Sequence, residues 1–474
     1  MPQLFVDFGS WYVAVIVFGM VSGTGIAVDY HAGPGQALES PFEVPWHTLA
    51  AGDTVHIHWQ DRPYRHKWVI AGRGTPERPI VVRGVPGPDG QLPRIDGERA
   101  VTPPLLDFWS EERAVIKIGG AQVPRADQPA CIVIENLDIR GAHPDFQFLG
   151  RGGLQPYSEA ASAIYVETGS HITVRNCVLH DCANGFFSAH QSSEVLVEGC
   201  ELHSNGIQGS IYQHNSYTAS RGMTYQFNRF GPLGAGCRGN NLKDRSAGLV
   251  VRYNWIEGGN RQLDLVEGDD SEAILRDPRY RRTFVYGNVL IEHEGGGNHQ
   301  ILHYGGDNGH EPVYRKGTLY FLNNTVVSHR SGRTTLARLS TNEESAVIAG
   351  NILYTTAPGA NLAILDESGL ARLTQNWIKR EWVESHERGF EGRVSANGNV
   401  EGDSPGFLDF AHQDFRPAAD SPCVNAGSIP RLTGGFDLTL DWEFAAPRGA
   451  RARPTSGTVD LGAFESHPPG PSTP

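Results

Sequence analysis

The chain has 474 residues, 39% hydrophobic and 20% charged, enough for a large core and more than one domain. Its 57 glycines and 30 prolines, without collagen's period, suit a chain that turns very often. A formal net charge of −13 excludes the basic footprint of a general nucleic-acid binder, yet a local cationic groove for an anionic ligand remains possible.

From the start of the chain, residues 11–27 form the one long apolar run, WYVAVIVFGMVSGTGIA. It is short for a membrane span and ends in small residues, so residues 1–27 read as a signal peptide. Asp7, with no Lys or Arg before the run, departs from the usual basic start. A secreted or periplasmic chain with no membrane segment after processing is expected. Residues 28–115 read as an N-terminal cap and opening coils, 116–400 as the core, 401–466 as a C-terminal cap and 467–474 as a disordered tail. The six cysteines show neither CxxC nor zinc spacing, and leave disulfides and free thiols equally open.

The middle of the chain repeats. A β-rich phrase ending in Asn or Cys and two mostly apolar residues recurs as ITVRNCVL (172–179), VLVEGCEL (195–202), TYQFNRF (224–230), VVRYNWI (250–256), FVYGNVL (284–290), YFLNNTV (320–326), VIAGNIL (347–353) and LTQNWI (373–378). Alignment brings Cys177, Cys200, Asn228, Asn254, Asn288, Asn324, Asn351 and Asn376 to one position, 23 to 36 residues apart. An earlier relative, IVIENLDI (132–139), precedes a loop insertion at Pro144–Ser158. The phrases alternate like strands, and no segment between them carries a helical stripe with caps. Units of this size with glycine turns fit an all-β solenoid, whose coils stack about 4.8 Å apart. An internal Asn column can then hydrogen-bond amide to amide along the axis.

The opening GDTVHIHW…GTPERPIVVRG…IDG resembles the first coils of bacterial β-helix proteins, including the chondroitinase B and alginate lyase-like group. The closing DFRPAADSPCVNAG and VDLGAFE resemble the ends of many secreted bacterial β-helices. The central HNSY, NLKDRSAGLVVRYNWIEGG and LDLVEG are similar to a group of polysaccharide-degrading proteins. The resemblance implies a single-stranded right-handed parallel β-helix with an Asn ladder and two caps.

Counting from each ladder residue, His190, His214, Lys243, Glu267, His303, Arg338 and Asp366 fall 13 to 15 residues later, which predicts one ionisable column along the coils. Such a column is either a groove or an ordinary polar surface. As a groove it suits uronic-acid polysaccharides, which are cleaved by β-elimination: a base takes the proton α to a carboxylate while a cation neutralises that carboxylate. Lys243 and Arg245 share a strand face at i and i+2, so Arg245 is expected to depress the Lys243 pKa and to pair with the substrate carboxylate. His214 would assist the leaving group as acid. Arg252, Asp264, Glu267, His303, Arg338, Tyr217 and Tyr304 would bind substrate. The lyase resemblance implies the same role for Lys243, with Arg245 or Arg252 as the arginine. The calcium-binding carboxylates of those lyases are not matched, since the stretch reads CRGNNLK. Any calcium would fall to Asn241, Asp264 and Glu267, whose oxygens suit it.

Two other classes compete. A hydrolase needs paired carboxylates, which Asp264, Glu267, Asp269 and Asp270 supply, although the polygalacturonase Gly-His-Gly pattern is absent and GGGNHQ (295–300) is only superficially like it. A non-catalytic carbohydrate-binding solenoid could use Tyr212, Tyr217, Tyr253, Trp255 and Tyr304 as platforms. The reading adopted is a monomeric lyase acting on an acidic polysaccharide.

Overall fold

A computed structural model describes residues 26–125, 128–428, 438–454 and 457–466. The apolar run 11–27 falls almost wholly, and the tail 467–474 entirely, outside the described residues.

Each coil contributes short strands to three parallel sheets. Sheet A runs from Asp29–Ala32 to Arg393–Asn397. Its strands lead into the Asn turn, after which the chain enters sheet B, eleven strands from Arg94–Asp96 to Val400–Gly402. A loop of variable length then leads to sheet C, from Trp68–Ile70 to Leu362–Glu367. Ser162–Arg175 and Asn184–Glu198 run unbroken round the corner from C to A, fusing those two into one 21-stranded sheet. Strands this short cannot bury a face alone. Stacking supplies the burial, and every partner in the three main sheets is parallel because every coil advances in the same direction.

Alternation decides what lies inside. In sheet C, Leu242, Leu263, Leu302, Ala337 and Leu365 are register partners and all are buried. The next residue on each strand therefore faces outward, and a slip of one position would exchange core for surface.

The Asn ladder forms as expected. Asn228 donates its side-chain amide to Asn254 Oδ1 at 2.9 Å, and the pattern repeats through Asn288, Asn324, Asn351 and Asn376, then one coil further to Asn399. At its lower end the Cys200 N–H donates to Asn228 Oδ1, and the Cys177 N–H meets Cys200 Sγ at 3.4 Å. Each asparagine also caps a backbone carbonyl, such as Asn288 Nδ2 on Val251 O, so the buried amides are satisfied. All six cysteines are unpaired thiols, five of them buried. The insertion near Pro144–Ser158 is an antiparallel hairpin, Gln147–Gly150 with Gly153–Pro156.

The described residues after 402 run back along the outside of sheets A and B. The Gly462 N–H donates to Gly350 O, Tyr253 Oη to Thr439 O, and Arg448 reaches Cys177 O. Phe415, Phe444 and Phe464 cover Trp255, Val289, Ile291 and Val327 on sheet B. Leu438 and Leu440 cover Phe284 and Tyr286 on sheet A. Among the described residues, the returning segment forms no such cluster over sheet C; there Trp109 packs over Lys117, and Ser385 and His299 bond Asp366.

Candidate active site on sheet C

Register pairing fixes the outward column of sheet C as Lys117, Tyr165, Phe187, Tyr217, Lys243, Asp264, His303, Arg338 and Asp366. Above Lys117, its lower half is aromatic. Phe187 lies 5.5 Å from the Tyr165 ring and 4.9 Å from Tyr217, and the Arg113 guanidinium sits over Tyr165 and Phe187. The upper half is charged.

Four of the seven residues expected in one column are there: Lys243, His303, Arg338 and Asp366. The other three positions belong to neighbours. Phe187 stands where His190 was expected, Tyr217 in place of His214, and Asp264 in place of Glu267. Loops between sheets B and C explain the shift. Asp264 comes ten residues after Asn254, whereas Tyr217 comes seventeen after Cys200.

Asp264 is the hub. Its Oδ2 accepts from Lys243 Nζ at 3.0 Å and from Asn240 Nδ2 at 2.7 Å. Its Oδ1 faces His303 Nδ1 at 3.0 Å, with Arg261 at 3.7 Å. Burial alone would raise this carboxyl, but Lys243, His303 and Arg261 outweigh it and hold the pKa well below the usual range. The effect on Lys243 is reciprocal. Burial pushes its pKa down, yet the Asp264 charge wins and the ammonium is strengthened. The expected depression by Arg245 is therefore overturned: the deciding neighbour is the carboxylate one coil above, which sequence adjacency does not reveal.

Arg245 does lie beside Lys243, with the Tyr217 ring within 6.0 Å of both cations. It is already engaged by Glu267 at 3.5 Å and by Asp269. His214 sits at the strand edge with its ring 5.4 Å from Tyr217, and its Nδ1 accepts from Asn240 N at 2.9 Å. Burial, helped by Lys243, drops its pKa to about 3, so it is a neutral imidazole rather than a cationic acid. Glu267 lies beyond the strand, bonded by the Asp307 N–H at 3.2 Å, and burial raises its pKa. Arg338 pairs with Glu367 at 2.8 Å.

Three expected site residues lie elsewhere. Arg252 is on sheet A, bonded to Gln226 and Tyr286. Tyr304 follows His303 and so points into the core, fully buried. Asn241 belongs to a second internal ladder, Asn205–Asn215–Asn241, in which its Oδ1 accepts from Asn215 at 2.8 Å. The set of Asn241, Asp264 and Glu267 thus does not fit calcium. One member faces the coil interior, one carboxylate is saturated by four donors, and the third is turned to Arg245. Among the described residues, no group of three His, Cys, Asp or Glu side chains is arranged to hold a metal ion. Of the aromatic platforms, Tyr253 and Trp255 lie under the returning segment, while Tyr212 is 73% exposed.

Sequence reasoning missed Asn240, Arg261 and Ser340. Arg261, three residues before Asp264, carried a faint signal; Ser340, at the end of LARLS, carried none.

A family model described as right handed beta helix region matches residues 133–230. The chain is a right-handed parallel β-helix. No curated protein matches it in sequence. Among solved structures, the β-helix is similar to the GH136 lacto-N-biosidase from Eubacterium ramulus, over 79% of this chain and 67% of that one, with a TM-score of 0.50 and 12% identity. Pectate lyase Pel9A aligns over 93% and 97%, with a TM-score of 0.48 and 11% identity. An alginate lyase from Paenibacillus sp. str. FPU-7 aligns over 74% and 93%, with a TM-score of 0.37 and 11% identity. At 12% identity the likeness to the lacto-N-biosidase speaks to fold alone, and the chemistry has to come from the column.

Proposed function

We propose that this β-helix is an exported lyase that cleaves an acidic, uronate-containing polysaccharide by β-elimination on sheet C. The observation that carries the reading is the grouping of Lys243, Arg245, Arg261 and Arg338 around the outward column, next to the Tyr217 ring. Aromatic faces suit sugar rings, and the arginines suit carboxylates. In this reading Lys243 removes the proton α to the carboxylate, Arg245 and Arg338 exchange acidic partners for that carboxylate, and His214 contributes a hydrogen bond from its neutral ring. Lys243 must shed its own proton before acting, and Asp264 makes that harder. The rate should therefore climb with pH toward the alkaline range and flatten only once Lys243 is deprotonated.

A second reading has one observation in its favour. Asp264 is held ionised while Glu267 is pushed up by burial, and two carboxyls with separated pKa values are what a hydrolase requires.

The test is incubation with a panel of uronate polymers, following the ultraviolet absorbance of the unsaturated product. Wild type should give a rise that falls roughly a thousand-fold in Lys243→Ala. Lys243→Arg, which keeps the ion pair but cannot serve as base, should be equally slow. New reducing ends without that absorbance would mean hydrolysis; sugar binding without either signal would mean a binding module.

A further inference from the structure

We propose that Ser340, His303 and Asp264 form a second catalytic centre on sheet C, one that hydrolyses carboxylic esters carried by the polysaccharide. Three successive coils bring them together, although 39 and 37 residues separate them in the chain. His303 Nε2 lies 2.8 Å from Ser340 Oγ, and His303 Nδ1 lies 3.0 Å from Asp264 Oδ1. An ionised Asp264 can only accept, so the hydrogen-bond network assigns the imidazole proton to Nδ1. Nε2 is left as a lone pair aimed at the serine hydroxyl. Burial keeps the ring neutral by lowering its pKa, which suits a resting base. Asp264 gives His303 its other oxygen from the one held by Lys243 and Asn240, and both members of the pair are buried and fixed.

Ser340 itself is half-buried, at the outer edge of the strand. Its Oγ is also 2.8 Å from Gly306 O and 3.1 Å from Gly306 N. The hydroxyl thus has two acceptors, and turning to Nε2 activates it. Gly305 lets the loop come this close: at φ +138° a Cβ there would stand 2.5 Å from Ser340 Oγ. The Gly306 N–H donates to Ser340 Oγ in this structure, and Arg338 and Arg261 supply positive charge around His303 that would stabilise a developing oxyanion.

The chemistry balances without another reactant than water. Ser340 Oγ bonds to the ester carbonyl carbon as its proton passes to His303 Nε2. The carbon–alkoxy bond breaks, and the sugar hydroxyl leaves with that proton. Water then attacks the acyl-serine, giving its proton to His303, and the carboxylic acid departs as Ser340 recovers its own. His303 and Ser340 touch the reacting atoms; Asp264 is a positioning residue. The proposal rests on the carbohydrate reading only for the identity of the alcohol.

The experiment uses the full chain with para-nitrophenyl acetate and with an O-acetylated polysaccharide, together with a fluorophosphonate probe and peptide mass mapping. Turnover with the label on Ser340, both lost in Ser340→Ala with a roughly thousand-fold fall in rate, is the expected result. Absent turnover and labelling in wild type, or both persisting in Ser340→Ala, would overturn it. Ser340→Cys gives a readout independent of that variant's folding: its thiol should alkylate faster than half-buried Cys237, and an equal or slower rate counts against an activated position. Ester turnover without uronate elimination would sink only the Lys243 mechanism, and elimination without ester turnover only this one.

Discussion

Sheets B and C are built from the same short parallel strands with the same alternation, yet their outer faces have opposite fates. On sheet B the outward residues include Trp255, Val289, Ile291 and Val327, and the returning chain covers them with three phenylalanines. On sheet C they are Tyr217, Lys243, Asp264, His303 and Arg338; Lys243 and His303 both bond Asp264, and Arg338 pairs with Glu367. An apolar outer face recruits the returning chain to exclude water, while an ionisable one that this segment leaves alone can be kept for a ligand. The backbone is common to both, so the division of labour lies in the outward residue of each strand.

That contrast can be broken from either side. The largest effect is expected on sheet C: Asp264→Ala strands a buried lysine and a buried histidine, and should cost about 3–5 kcal/mol in denaturant unfolding. On sheet B, Trp255→Ala removes the ring stacked 5.5 Å from Phe415, and should cost about 3 kcal/mol and open the 407–417 hairpin to proteases. Between the sheets, Asn288→Ala leaves the Asn254 backbone N–H without its side-chain acceptor and removes a side-chain donor from Val251 O, for about 2 kcal/mol. The smallest effect, read over a single pH unit, sharpens the picture through pH. His214 takes up its proton near 6.5 when unfolded but only near 3 when folded. Below pH 6.5 the unfolded state binds the extra proton, so stability should fall by about 1.4 kcal/mol per pH unit until the folded ring also titrates. His214→Gln should flatten that limb of the unfolding curve.

The ladder was legible in the sequence because its signal is a repeated residue at a nearly fixed spacing, and the structure adds only Asn399 to it. Sheet C was half legible. Lys243, His303, Arg338 and Asp366 follow ladder residues by similar intervals, but loops of different length displace Tyr217 and Asp264, and no pattern within one coil announces that. Tyr304 shows the penalty of a period of two: one residue past His303, the side chain changes sides. The Lys243 pKa was out of reach for a related reason. The nearest charge on its own strand face is Arg245, whereas the charge that decides its state is Asp264, twenty-one residues on and one coil up. Ser340 was invisible because a serine gains meaning only when a histidine from another coil faces it.

The central claim is that the outward column of sheet C is the working face. The most direct measurement is a crystal structure of Lys243→Ala soaked with a uronate oligosaccharide. Sugar rings over Tyr217, with carboxylates reaching Arg245 or Arg338, are the predicted result. An oligosaccharide bound on sheet A or B, with the sheet C column unoccupied, would contradict it.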